Sequence, residues 1–149
     1  MKWILKKYSE LTLEEFHNIL QLRINVFVVE QNCPYPELDG KDKIAYHFYA
    51  VADENSSQIL AYTRLFKPGD YYKFAAIGRV VVNKEYRNTG LGNELIKRSI
   101  QQIEKIFRTT EIKIGAQTYL KNFYKYHGFN KVGEGYLEDG IPHIYMIKE

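Results

Sequence analysis

Apolar residues recur along this chain with two periods, one near two and one near three and a half, and the switches between them mark out its elements. Trp3, Ile4 and Leu5 open a short β-like run that reaches Tyr8. Thr12 followed three residues later by Glu15 is a capping-box pattern, in which each side chain satisfies the other's backbone N–H. Leu13, Phe16, Leu20, Ile24 and Phe27 then recur at spacings of three or four, which predicts a helix with these residues on its inner face. "VEQNCPYPELDGKDK" breaks the period with Pro34, Pro36 and Gly40 and reads as a loop.

Three β-rich runs follow, "IAYHFYAVAD", "QILAYTRLF" and "AAIGRVVVN", joined by the short connections "ENSS" and "KPGDYYKF". Connections of that length join antiparallel neighbours, so the three form a meander. A helix carrying Leu91, Leu95, Ile96, Ile100, Ile103 and Phe107 on one side comes next. After it stand a strand, "EIKIGAQ", and a second helix, "TYLKNFYKYHG", with Gly128 as its C-cap. Two last β-like runs, "FNKVGEGYL" and "HIYMIK", flank the turn-rich "EDGIP". The order predicts an α/β chain whose mixed, mostly antiparallel sheet has helices on both faces. Strand–helix–strand crossovers around residues 77–129 make its central strands locally parallel.

Size and charge narrow the function. At 149 residues and 45% hydrophobic the chain is expected to form a single domain, residues 1–149. A net charge of +3, carried by scattered lysines and arginines, lacks the basic face of a nucleic-acid binder. The apolar run at Trp3, Ile4 and Leu5 is too short for a signal peptide or a membrane span, so a cytoplasmic protein without a membrane partner is expected. The single cysteine, Cys33, excludes an intrachain disulfide and a cysteine-based zinc site, and no metal is expected.

The chemistry concentrates in "EYRNTGLGNELIKRS", where a polar turn carrying Gly90 and Gly92 runs into a helix. A nucleoside-triphosphate P-loop would need Gly-Lys-Ser/Thr after Gly90, and none follows. A dinucleotide turn would need a third glycine where the chain has "NEL". What remains is an anion site: helix N-terminal amides backed by the helix dipole, with Arg87 beside them. The rival reading is that the glycines let the helix pack close to the sheet.

Context separates the two. "RNTGLG" after a valine-rich strand is similar to the arginine/glutamine-x-x-glycine-x-glycine signature of the GNAT acyltransferases, and "GAQTYLKNFYKYHGF" resembles that superfamily's second cofactor segment. "LRINVFVVEQNCPYPELDG", "IGRVVV" and "YLEDGIPHIYM" extend the resemblance to the ElaA branch over nearly the whole chain.

The resemblance implies the GNAT fold, with a splayed parallel central pair in the sheet, and acetyl-CoA as co-substrate. It implies that backbone groups of Val80, Val81 and Val82 meet the pantetheine arm. The pyrophosphate would then lie on the backbone of Arg87, Asn88, Thr89, Gly90, Leu91, Gly92 and Asn93. Tyr124 matches the family tyrosine near the thioester sulfur, and a phenol with an ordinary pKa near 10 is protonated at neutral pH and able to act as general acid. Gln117 and Asn122 are candidate contacts to the cofactor's amides.

A protonated amine has no lone pair, so the reaction also needs a base. The resemblance implies a glutamate on the strand before the signature, yet "FAAIGRVVV" contains no carboxylate. Substitutes are Glu30, Glu37 and Asp39 near the first loop, His47 on a strand, and Glu138, Asp139 and His143 in "EDGIPHI". Arg64 and Arg79 are expected close together across the meander, where either Glu30 or another acid neutralises them or they hold a substrate carboxylate, with Asp139 as a further substrate contact. Cys33 reads as a small buried hydrophobe, with an acetyl relay through its sulfur as the minor alternative. The expected activity is direct transfer of an acetyl group to a primary amine of a small molecule. The alternative is a non-catalytic acyl-CoA sensor, which the missing glutamate favours. A homodimer through a sheet edge is the protein partner the sequence leaves open.

Overall fold

Ten elements follow one another in the chain: β1 (Lys2–Lys7), α1 (Leu13–Ile24), β2 (Tyr46–Val51), β3 (Ile59–Phe66), β4 (Ala75–Val82), α2 (Leu91–Phe107), β5 (Ile112–Gln117), α3 (Lys121–Tyr126), β6 (Asn130–Glu138) and β7 (Ile141–Lys148). The computed structural model describes residues 1–53 and 57–149, so most of the "ENSS" connection lies outside the described residues. The strands form one seven-stranded sheet in the order β1-β2-β3-β4-β5-β7-β6. Every neighbouring pair is antiparallel except β4 and β5, which run parallel as the crossover through α2 requires.

Helices cover both faces. Leu91, Leu95, Ile96 and Ile103 of α2 pack with Phe48, Ala50, Leu60 and Leu65 on one face, together with Tyr124 of α3 and Phe129. Ile19, Leu22 and Val26 pack with Tyr49, Val51, Tyr62 and Val81 on the other. Covered on both sides, β3 is buried along its whole length. A buried Thr63–Ser99 hydrogen bond of 2.8 Å ties β3 to α2.

Thr12 and Glu15 form the reciprocal capping box, at 3.1 and 2.8 Å. The inner face of α1 differs from the one its apolar spacing predicts. Leu13 is 93% exposed, and the residues that reach the core are Ile19, Leu22 and Val26, with the charged Arg23 fully buried beside them. The stripe at Phe16 and Leu20 is half-buried; Phe16 packs against Tyr8 and His47 at the rim. The helix also runs on past Ile24 as a wider π-type turn, Asn25–Glu30, so Val29 and Glu30 are helical where the sequence reads as loop.

Gly128 caps α3 in the left-handed region (φ 94°), and the Phe129 amide reaches back to the Tyr124 carbonyl at 3.2 Å. The "EDGIP" insert shrinks to a two-residue turn, Asp139 and Gly140, both at positive φ, which is the mirror-image turn that matches strand twist. Pro142 belongs to β7, lying one residue beyond the point where β5 pairs with that strand, so its missing N–H breaks no bond to β5.

Candidate active site

The site begins with a sheet that comes apart. Strands β4 and β5 are paired only at Ala75 with Ile112 and Ala76 with Lys113; beyond that, β4 bonds to β3 alone and β5 to β7 alone. One extra residue on β4 drives the separation. Tyr62 pairs with Val81 but Arg64 pairs with Gly78, so Thr63 faces both Arg79 and Val80, and Arg79 is held at φ 49°. The bulge bends β4 away from β5 and leaves the outward backbone groups of residues 77–82 without a strand partner.

A cavity of ≈ 740 Å³ fills the gap. Val80, Val81 and Val82 line one wall, Ala116 and Gln117 the other, and Tyr124 and His143 border the space between. The π-type turn contributes Val26, Phe27 and Glu30, and the following loop contributes Cys33, whose thiol points to the Asp139 carbonyl at 3.7 Å.

At one end of the cavity α2 begins. Gly90 is its N-cap at φ 84°, and no side chain caps the helix, so the amides of Leu91, Gly92 and Asn93 are left without an acceptor inside it. A Cβ built on Gly90 would meet nothing within 4 Å, and one on Gly92 would touch Phe123 and Val82 at 3.7–3.8 Å, an ordinary contact. Close helix packing therefore does not explain the glycine pair. The backbone conformation requires one, and the open amides suit an anion.

The other end is held by charge. Arg23 bonds Glu37 and Asp42, both at 2.7 Å; Arg64 bonds Asp42 at 3.1 Å and Asp39 at 2.6 Å; Arg79 bonds Glu37 at 2.9 Å and lies 3.7 Å from Asp39. The six groups close into a ring in which cation and anion alternate and each touches two of the opposite sign. Tyr35 adds a short hydrogen bond to Glu37. The arginines hold Asp39 and Asp42 well below the usual carboxylate range despite burial, which alone would raise them.

Beyond geometry, residues 4–149 match the family described as "Acetyltransferase (GNAT) domain". The chain belongs to the GNAT acetyltransferase family. Among GNAT relatives, protein ElaA of Escherichia coli (strain K12) is 38% identical over 149 residues, covering 100% of this chain and 97% of ElaA. The crystal structure of an acyl-CoA N-acyltransferase from Pseudomonas aeruginosa superposes with a TM-score of 0.92 at 42% identity, covering 100% of both chains. The crystal structure of Escherichia coli ElaA superposes with a TM-score of 0.89, again covering both chains fully.

The GNAT fold brings together some of the candidate residues and separates others. Val80, Val81, Val82, Arg87, Asn88, Gly92, Gln117, Tyr124, Glu30, Arg79, Asp139 and His143 all line the cavity. Arg87 is not free. It holds Glu30 through two bonds of 2.7 and 3.1 Å and the Val82 carbonyl at 3.3 Å, and this contact lowers the Glu30 pKa. So Glu30 neutralises Arg87, whereas Arg64 and Arg79 take Glu37, Asp39 and Asp42. The Asn93 side chain meets His127 at 2.9 Å and Thr89 bonds the Tyr86 carbonyl at 2.6 Å, which leaves their backbones for an anion. Asn122 is exposed on α3, outside the cavity lining.

His47 does not reach the cavity. It is 0% exposed, its Nε2–H donates to the Asp42 carbonyl at 2.9 Å, and its Nδ1 accepts from the Tyr62 hydroxyl at 2.7 Å. Burial pushes its pKa down, so it sits neutral beneath the ring. Arg64, 1% exposed, likewise stands behind the main cavity. His143 is placed differently: its Nδ1–H donates to the Ile141 carbonyl at 2.7 Å, and its Nε2 lies 3.4 Å from Glu138 on the cavity wall. Tyr124 is buried to 5% exposure, and burial raises its phenol pKa, keeping the proton on.

Arg23 and Asp42 are ring members that periodicity did not flag. An arginine adjoining Leu22 and one turn before Val26 was the available sign, because a charge on an inner face needs a buried partner.

Three outcomes follow. Gly90→Ala loses about 1 kcal/mol of stability from the left-handed conformation, whereas Gly92→Ala stays near wild type, as urea unfolding will read. Asp42→Asn, which leaves two buried arginines short of charge, loses about 3–5 kcal/mol. The folded-state pKa values of Asp39, Asp42 and His47 are all depressed. Their contribution is therefore complete above the unfolded histidine value near 6.5 and is lost as pH falls, first through His47 and then through the carboxylates. Unfolding free energy measured from pH 7 down to 3 should decline accordingly, with a shallower slope in Asp42→Asn.

Proposed function

We propose that this chain is an acetyl-CoA-dependent N-acetyltransferase that acetylates a primary amine of a small molecule by direct attack in a ternary complex. The observation that carries this reading is one cavity with an uncapped helix N-terminus at one end, an unpaired strand edge along its wall and a buried, protonated tyrosine beside it. A pyrophosphate suits the amides of Leu91, Gly92 and Asn93, and an amide-bearing arm suits the free edge of β4. Acetyl-CoA, the co-substrate, supplies the activated thioester.

The chain's own groups then divide the proton traffic. Nε2 of His143 takes the proton from the acceptor's ammonium, with Glu138 at 3.4 Å steadying the imidazolium. Tyr124 donates its proton to the departing thiolate sulfur and is reprotonated by the second proton that the attacking nitrogen sheds as the amide forms. Glu30, held low by Arg87, is a weaker base and serves to order the cofactor end.

A second reading, an acyl-CoA sensor without turnover, draws on β4, "AAIGRVVV", which bears no carboxylate. Free-thiol release from acetyl-CoA with a panel of primary amines separates the two. Turnover is expected, and Tyr124→Phe should lower kcat by roughly 100-fold while CoA affinity stays within about twofold. His143→Ala should lower kcat by on the order of 100-fold as well. Tight acetyl-CoA binding with no thiol release for any amine would favour the sensor.

A further inference from the structure

A smaller chamber of ≈ 60 Å³ adjoins the main cavity and shares Tyr71, Ile77, Gly78, Arg79, Gly115 and Glu138 with it. Its remaining wall includes Arg64 and Tyr136. Gly115 makes it possible: a Cβ there would stand 2.5 Å from the Tyr136 hydroxyl, so only glycine lets Tyr136 lie across β5 at this point. Tyr136 in turn stacks on His143 at 5.6 Å between ring centroids. Chamber and candidate base thus share one aromatic wall.

One polar atom of Arg64, a chamber-lining residue whose guanidinium lies over the Phe66 ring, has no hydrogen-bond partner. Arg64 is 1% exposed and spends Nη1 and Nη2 on Asp39 and Asp42, but its Nε–H is buried with no hydrogen-bond acceptor among the described residues. The atom lies beside Gly78, since a Cβ built there would sit 3.7 Å from it. A buried guanidinium N–H left unpaired is costly, so the position calls for an oxygen. The charge around it says which kind. Arg64 is already neutralised by Asp39 and Asp42, and Glu138 stands on the wall shared with the main cavity. With Arg79 on the same wall also neutralised, by Glu37 and Asp39, this N–H suits donation to a neutral carbonyl or hydroxyl oxygen, while Glu138 repels an anion.

We propose that this chamber is the acceptor-specificity site, and that the acceptor is a primary amine carrying an uncharged, hydrogen-bond-accepting oxygen on its tail, which lodges on Arg64 Nε while the amine lies by Glu138 and His143. The ≈ 60 Å³ chamber has room for a carboxamide or hydroxymethyl group and no large side chain. The inference rests on the reading of the chain as an amine acyltransferase and narrows its substrate class.

Gly78→Ala is the decisive variant. Its methyl would touch Arg64 and Phe66 only at 3.7–3.9 Å, so it fits without displacement while covering the Nε–H. The probes are glycinamide, beta-alaninamide and gamma-aminobutyramide, each set against the n-alkylamine and the amino carboxylate of the same chain length. In the wild type at least one carboxamide should exceed its alkylamine partner by about tenfold in kcat/KM, and the carboxylate should fall below both. In Gly78→Ala, with its unfolding midpoint checked against wild type, that ratio should collapse toward one. The proposal is overturned if no carboxamide is preferred, as a merely water-filled void predicts. A preferred carboxylate, or a ratio unchanged in Gly78→Ala, also overturns it. Absence of turnover with every amine would count against the enzyme reading alone. In that case saturation-transfer NMR of the same carboxamides decides the chamber: binding that Gly78→Ala removes supports it, and no binding to the wild type overturns it.

Discussion

The ring of three arginines and three carboxylates ties four parts of the chain together: α1 through Arg23, the loop through Glu37, Asp39 and Asp42, β3 through Arg64 and the β4 bulge through Arg79. Buried charge is tolerated only when each group has its partners, and here each has two. The ring therefore fixes the loop over one end of the cavity and helps hold Arg79 in a left-handed conformation that a side chain disfavours. His47, neutral and bonded through both nitrogens, closes the ring from below.

That bulge is where structure and chemistry meet. By adding one residue to β4 it ends the β4–β5 ladder after two pairs, and the resulting wedge becomes the cavity. The two ends of the wedge have opposite electrostatic characters. Uncapped helix amides face one end, which favours an anion there, and Glu138 and the neutralised ring border the other, which favours a cation. Tyr124 and His143 border the space between them.

Much of the fold was legible in the chain because it is local. The order and type of the strands and α-helices followed period and punctuation, although the first helix runs on to Glu30 and β7 begins at Ile141, and Thr12, Glu15 and Gly128 cap as their spacing implied. The inner face of α1 misled for a definite reason: Arg23 occupies a buried position that a count of apolar residues scores as surface, which rotates the apparent stripe toward Leu13 and Leu20. The turn at Asp139 and Gly140 is tighter than "EDGIP" suggested because Ile141 and Pro142 are recruited into β7 by pairing with β6.

Sequence alone determined the order of elements, the crossover that makes two strands parallel, and the glycine-bearing helix start that can hold an anion, since each rests on residues within one or two turns of one another. Through its resemblance to the GNAT family it also named part of the cavity's lining, Val80, Val81, Val82, Arg87, Asn88, Gly92, Gln117 and Tyr124. Tertiary structure alone decided which acids meet which arginines, that His47 is sealed away while His143 borders the cavity, and that Arg64 leaves one N–H without an acceptor among the described residues. Those outcomes join residues as far apart as Arg23 and Arg79, or Arg64 and Tyr136, across a bulge one residue long. No local pattern encodes them, because burial and pairing are properties of the packed chain.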